Sequence, residues 1–426
     1  MSESYGSLFN RRIYKVALDR MEDEPVIFLH GPRSVGKSTL LLQLADNLSV
    51  AVIDLDDPVV RDAVKAGPVN AMNDSTPILL DEYQYVPEVL DAIKARLNRE
   101  GSLPGTAVMT GSTRFDTLPR TAQALTGRLH LLNIWPLSQG EIWGSEENLI
   151  PKLLNDPENT VASLPRSDST RQEYVARIIT GGFPMAISRS SNVSRNRWFD
   201  DYIMQSIERD SVELVRIRQR QILQRLFSTV ASQTAQILNV TKVGAGLEID
   251  RKTLESYLRL LEDLYLIVRL PAWGKTLRTR ANSKPKIHVV DSGLAARVLR
   301  LSLERVLSFD ATAITVLGNV LETFVVGELR KQISWLDEKV LCGHWRTSAD
   351  DEVDFVIEFD DGSVIAFEIK AGERITGAEF RGLRKLRVAL GKRFIAGVAF
   401  TMGSRSYNYE DRLYVMPLDR LWRTVP

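Results

Sequence analysis

Cysteine is almost absent from this sequence: Cys342 is the only one in 426 residues. That excludes an intrachain disulfide and a cysteine-built zinc site, and it suits a reducing compartment. Four histidines leave little material for a histidine-rich metal centre. Long apolar runs are scarce as well: none approaches the roughly eighteen residues of a membrane span, and the polar opening MSESYGSLFNRR has no signal-peptide core. Neither sign of charge is in excess. With a net charge of +1, any attraction to nucleic acid has to come from local patches. These absences together lead us to expect a cytoplasmic protein without membrane association. Its content of 44% hydrophobic and 26% charged residues is that of a globular chain, and its length allows roughly two to four domains.

The segment PVIFLHGPRSVGKSTLLLQL runs from an apolar strand through a glycine loop into a helix. Gly31, Pro32, Arg33, Ser34, Val35, Gly36, Lys37 and Ser38 fit the phosphate-loop pattern G-x-x-x-x-G-K-[ST], and Thr39 follows. The spacing has a physical cause. Glycine lets backbone N–H groups close around phosphates, the helix N-terminus adds partial positive charge, Lys37 reaches the outer phosphates, and the Ser38 hydroxyl binds magnesium. Such a loop calls for a second strand ending in an acid, and TPILLDEYQ supplies one. There Asp81 would hold Mg2+ through water and Glu82 would polarise the attacking water of ATP hydrolysis. The strand of GTAVMTGSTRF ends in Thr110, Gly111 and Ser112, where a polar side chain can sense the terminal phosphate. Arg114 and Arg128 are candidates for an arginine finger reaching a neighbouring subunit's nucleotide, which would make assembly ATP-dependent.

The order of the glycine loop, LLDEYQ, TGS, TGR, PLSQGEI and GGFPMA resembles a prokaryotic AAA+ ATPase family. Its members join the ATPase to a C-terminal restriction-endonuclease-like domain through a winged-helix segment. The resemblance implies an α/β fold with a P-loop AAA+ core over residues 1–160. A helical lid bearing Gly181, Gly182, Phe183 and Pro184 would follow over 161–215. A winged helix-turn-helix is implied for 216–287 and a nuclease-like domain for 288–426.

In the middle region, apolar residues recur at helical spacing: Ile222, Leu223, Leu226 and Phe227, then Leu254, Tyr257, Leu258 and Leu261, with Asp250 placed to cap the second run. LIVRLPAW then reads as a β wing. Helix-turn-helix units read DNA with their second helix or mediate protein contacts. Two acid-free basic blocks lie here. Leu214–Leu247 has five basic residues, and Leu264–Val290 has six: Arg269, Lys275, Arg278, Arg280, Lys284 and Lys286. We read them as surfaces for the DNA backbone, without sequence specificity.

Near the C-terminus, EVDFVIEF and VIAFEIK alternate like two half-buried strands around DDG. A three-residue loop with Gly362 in the left-handed position pairs Phe355 with Phe367 and Ile357 with Ile365, which keeps the apolar face continuous. That register sets Asp354 opposite Glu368, with Lys370 one step along. Opposed carboxylates repel unless a cation bridges them, and hard oxygens of this kind suit Mg2+ or Mn2+. Glu322, on an amphipathic helix upstream, could add a third acid. The set Glu322, Asp354 and Glu368-x-Lys370 resembles the PD-(D/E)XK nuclease core, although Val353 stands where the motif has proline. Arg381, Arg384, Lys385 and Lys392 suggest a DNA rail beside it. The reading is therefore an ATPase acting on DNA with a metal-dependent nuclease-like site. Its alternatives are a nucleotide-switched interaction or toxin-type protein with an inactive nuclease fold, and a motor that remodels DNA junctions without cutting.

Overall fold

The computed structural model describes residues 9–73, 76–111, 125–209, 217–274 and 284–426. The chain divides into two compact units, Met1–Leu137 with Asp263–Tyr265 and Ser138–Glu262 with Leu266–Pro426.

In the first unit, β1 (Val26–His30) is buried throughout and leads into α1 (Lys37–Leu48). The helix buries Leu40, Leu41, Leu44 and Ala45 at helical spacing. Next come β2 (Val52–Asp54), β3 (Ile78–Asp81), α2 (Val89–Glu100), β4 (Ala107–Gly111) and β5 (Leu129–Asn133). The strands form one parallel sheet in the order β2-β3-β4-β1-β5. Because β4 lies between β1 and β3, the end of β4 stands between the phosphate loop and the acids. The crevice at the carboxyl ends of such strands is where α/β sheets bind ligands.

The second unit begins earlier than expected. Residues 138–160, read as the end of the ATPase core, fall in this unit. The stretch read as a lid is stitched into the same unit. After α3 (Arg171–Thr180), the Gly182 amide donates to the buried Asp291 carboxylate at 2.7 Å. The Ser167 hydroxyl donates to Asp419 at 2.6 Å, and the Asn148 side-chain amide to the Val425 carbonyl at 2.8 Å.

Further along run α4 (Ile217–Ala231), β6 (Gln236–Ile237), α5 (Val240–Gly244), α6 (Arg251–Asp263), β7 (Ile267–Leu270) and β8 (Lys286–Val289). The strands pair antiparallel in the order β6-β8-β7. Leu223, Leu226 and Phe227 on α4, and Leu254, Tyr257, Leu258 and Leu261 on α6, are buried as their spacing predicts. Asp250 caps α6, accepting from the Thr253 amide at 3.0 Å.

α7 (Ala311–Ile333) is a correction to the sequence reading, since its length and composition do meet those of a membrane span. Over half of its most apolar window, 56%, is buried inside the protein, as in a core helix. It precedes a six-stranded mixed sheet of β9 (Leu341–Arg346), β10 (Glu352–Glu358), β11 (Val364–Ile369), β12 (Phe394–Thr401), β13 (Tyr407–Glu410) and β14 (Leu413–Pro417), ordered β13-β14-β12-β11-β10-β9. The β10–β11 hairpin has the expected register, Phe355 with Phe367 and Ile357 with Ile365, around Gly362 at φ 81°. The half-buried reading falls short. β11 is buried at every position, with Val364 and Ala366 packed against Phe380, Leu383 and Leu386, and α8 (Arg381–Leu390) covers it.

Gly181 has φ 70°, and a Cβ there would lie 2.2 Å from Oδ1 of Asp291. Gly181→Ala is therefore expected to destabilise the second unit by about 2–4 kcal/mol through backbone strain and overpacking. Chemical denaturation followed by circular dichroism measures this, and an unchanged midpoint would contradict the packing described.

Candidate functional site

Gly36, in the left-handed conformation, opens α1, and Ser38 and Thr39 are exposed in its first turn. Lys37 is buried, and its ammonium donates to the carbonyls of Gly31 at 2.9 Å and Pro32 at 2.7 Å. Pro32 and Val35 are buried, Arg33 is half-buried, and Ser34 has φ 59°. Arg11 braces the loop by donating to the carbonyls of Val35 at 2.7 Å and Trp135 at 2.8 Å. At the end of β3 the buried Asp81 accepts from the Thr110 hydroxyl and from the Glu82 amide, the latter at 3.1 Å. Glu82 itself has φ 51°, and its carboxylate accepts from the Gln84 side-chain amide. An ammonium, an exposed hydroxyl and helix-start amides, with two carboxylates at the end of a nearby strand, are the donor set that a magnesium-bound nucleotide needs.

Arg128 is half-buried, and its guanidinium donates to Asn98 at 2.6 Å within its own unit. Ser112 and Arg114 lie outside the described residues.

The second cluster lies in the other unit. Glu322 from α7, Glu352 and Asp354 from β10, Glu368 from β11 and Lys370 just after it line one cavity of about 450 Å3. A bulge in β10 opposite β9 falls between Val353 and Val356 and re-aims Asp354. One Asp354 oxygen accepts from the Ile369 amide at 2.9 Å. The other faces a cation that the sequence reading had assigned to DNA. Nζ of Lys286, with its side chain 2% exposed, lies 2.5 Å from Glu352, 2.7 Å from Glu322 and 3.1 Å from Asp354. Lys370 pairs with Glu368 at 2.5 Å.

Burial and the neighbouring Asp354 push the carboxyl of Glu322 well above the usual range and that of Glu368 up to about 8. Burial by itself would lower the Lys286 ammonium, but Asp354, Glu322 and Glu352 outweigh it and hold Lys286 charged. The expected acids do come together, yet the metal does not fit as expected, because an ammonium already lies against oxygens of Glu322 and Asp354. Among the described residues no group of three or more His, Cys, Asp or Glu is placed to hold a metal ion.

Several cations of the expected basic surfaces are ion-paired. Arg269 pairs with Glu262 at 3.1 Å and Glu255 at 3.4 Å. On α8, Arg381 and Lys385 both pair with Asp351, at 2.8 and 2.5 Å, and Arg384 pairs with Glu410 at 2.5 Å. Lys275, Arg278 and Arg280 lie outside the described residues.

Residues 23–143 match a family described as "AAA domain". With the loop and acids just described, that decides the first unit. It is a P-loop ATPase domain of the AAA type. Residues 171–305 and 317–421 match two families described as "Domain of unknown function", DUF8612 and DUF4143. Uncharacterized proteins of Mycobacterium tuberculosis (strain ATCC 25618 / H37Rv) and Mycobacterium bovis (strain ATCC BAA-935 / AF2122/97) are each 26% identical, over 98% of this chain and 86% of theirs. Among solved structures, a Walker-type ATPase of Pyrococcus abyssi is 14% identical, with a TM-score of 0.42 over 68% of this chain and 96% of that one.

Several functional neighbours escaped the sequence reading. Gln84 lies two residues past Glu82, a spacing at which its reach was legible. Thr110 was noted only for its position at a strand end. Lys286 had a signal too: in KIHVV it alternates with His288 against apolar neighbours, the pattern of a buried polar pair. Arg11 had none.

In the AAA domain, Lys37→Ala is expected to abolish nucleotide binding, read with a fluorescent ATP analogue. Thr110→Val leaves the fold but frees the Asp81 carboxylate, so turnover should fall about 10–100-fold, as when the partner of a metal-holding carboxylate is removed. Wild-type turnover in Thr110→Val would remove Thr110 from the site.

Proposed function

We propose that this protein is an ATP-hydrolysing AAA+ protein whose second unit binds DNA through a winged helix, without sequence specificity. The observation that carries the DNA reading is the exposed face of α6, where Arg251, Lys252, Ser256 and Arg259 point away from the buried Leu254, Tyr257 and Leu258. The order helix, short strand, two helices and antiparallel hairpin supports a winged helix, in which this helix meets the groove. In the AAA domain, Lys37 holds the outer phosphates, Ser38 and Asp81 hold magnesium, and Glu82 orients and polarises the attacking water. Magnesium supplies charge neutralisation at the phosphates when bound. Gln84 holds the Glu82 carboxylate and has to release it for that role. Arg128 or Arg114 serves the neighbouring subunit in an ATP-dependent assembly.

The C-terminal sheet is nuclease-like in this reading, but cleavage is not part of it, because Lys286 occupies the acids that a metal-dependent cut requires. The ion-paired cations of α8 favour a second reading, a nucleotide-switched interaction protein. An ATPase rate unchanged by any DNA would choose that one.

Two outcomes test the first reading. Glu82→Gln should bind ATP and hydrolyse it slowly, and mixing it with Arg128→Ala should restore turnover if Arg128 acts across an interface. The variant Arg251→Ala/Lys252→Ala/Arg259→Ala should weaken binding to duplexes, forks and junctions alike. Its salt dependence should flatten by about 0.9 in log–log slope for each phosphate that the variant no longer neutralises. Gel shifts over a salt series read this, and DNA binding unchanged by the triple substitution would overturn the assignment of α6.

A further inference from the structure

We propose that Lys286 is a built-in counter-ion that keeps divalent metal out of the carboxylate cleft, and that a metal site is latent beneath it. An ammonium has three hydrogens to donate. Three carboxylates lie within 3.1 Å of Nζ; Glu322 and Asp354 accept hydrogen bonds from it and Glu352 adds an ion pair. Magnesium would draw the same oxygens to about 2.0–2.1 Å and manganese to little more, so metal and ammonium exclude one another.

A second observation points to a cation beyond lysine's reach. Glu368 is 7% exposed and lines the same cavity, yet among the described residues its Oε2 has no hydrogen-bond partner. Oε1 of Glu368 is held by Lys370 at 2.5 Å, which leaves the second oxygen facing the cavity near Asp354. Lys286 is also tethered. It lies on β8 and the acids on α7, β10 and β11, so the ammonium is present at high effective concentration, and a metal has to displace the side chain without being able to wash it away. The proposal rests on the cleft and not on the DNA reading, so either can fail alone.

The test titrates Mn2+ into the nucleotide-free full chain and reads free Mn2+ by electron paramagnetic resonance. Wild type is expected to take up no Mn2+ that Glu368→Gln removes. Lys286→Met should gain one site, about tenfold or more tighter than any wild-type uptake at the cleft, and Lys286→Met/Glu368→Gln should lose it. A Glu368-dependent site already present in wild type overturns the proposal, as does a folded Lys286→Met that binds no additional Mn2+. Because Lys286→Met strands buried carboxylates, its unfolding is followed with and without Mn2+, and recovery of the fold by Mn2+ supports the latent site. Should it remain unfolded in both, Lys286→Met/Glu322→Gln decides. That variant removes the ammonium together with one of the carboxyl groups it meets and keeps Glu352, Asp354 and Glu368, and it should show the gained Mn2+ site. Its absence, or failure of this variant to fold even with Mn2+, overturns the proposal.

Discussion

Glu322, Glu352 and Asp354 sit close enough that all three approach one nitrogen, and three carboxylates so placed repel one another unless a cation lies between them. Lys286 meets that condition from a strand of another sheet. Its pairs join β8 to α7 and β10, so the hairpin region after α6 and the C-terminal sheet share one buried ionic centre. Breaking such a centre by removing one partner generally costs about 3–5 kcal/mol, because the remaining charges stay buried and uncompensated. The bulge at Asp354 lies at the same centre, where one carboxylate oxygen meets the lysine and the other the Ile369 amide.

Lys37 and Lys286 are both buried, next to sites of opposite character. Lys37 is 6% exposed, and its ammonium touches the backbone carbonyls of Gly31 and Pro32. Those are neutral dipoles, and a phosphate carrying full negative charge outcompetes them. Lys286 touches three carboxylates, which a neutral or anionic ligand has no means of displacing. The first lysine is therefore poised for exchange and the second for permanence, although burial alone makes the two look alike.

Local features were legible in the sequence. The phosphate loop, the Asp250 cap, the buried faces of α4 and α6, and the Phe355–Phe367 register all follow from spacings of a few residues. The pairing of the basic residues was not legible, for a definite reason. A block without acids along the chain is not without acids in space: Asp351 reaches Arg381 and Lys385, Glu410 reaches Arg384, and Asp354 reaches Lys286 across 68 positions. Counting charges in a window cannot register such partners. Burial of β11 was missed for a related reason, because its covering helix α8 follows it and alternation alone does not say how many faces are covered.

The stitches between residues 145–169 and 419–425 carry a consequence for how the second unit is made. Asp419 is fully buried against Ser167, Asn148 holds the Val425 carbonyl, and Ser145 donates to the Trp422 carbonyl. During synthesis the early helices of this unit emerge more than 250 residues before those partners exist. These contacts cannot form until the chain is nearly complete, and surfaces exposed meanwhile are the situation in which nascent chains depend on chaperones. The AAA domain closes most of its sheet pairings within its own first stretch of chain and has no such wait.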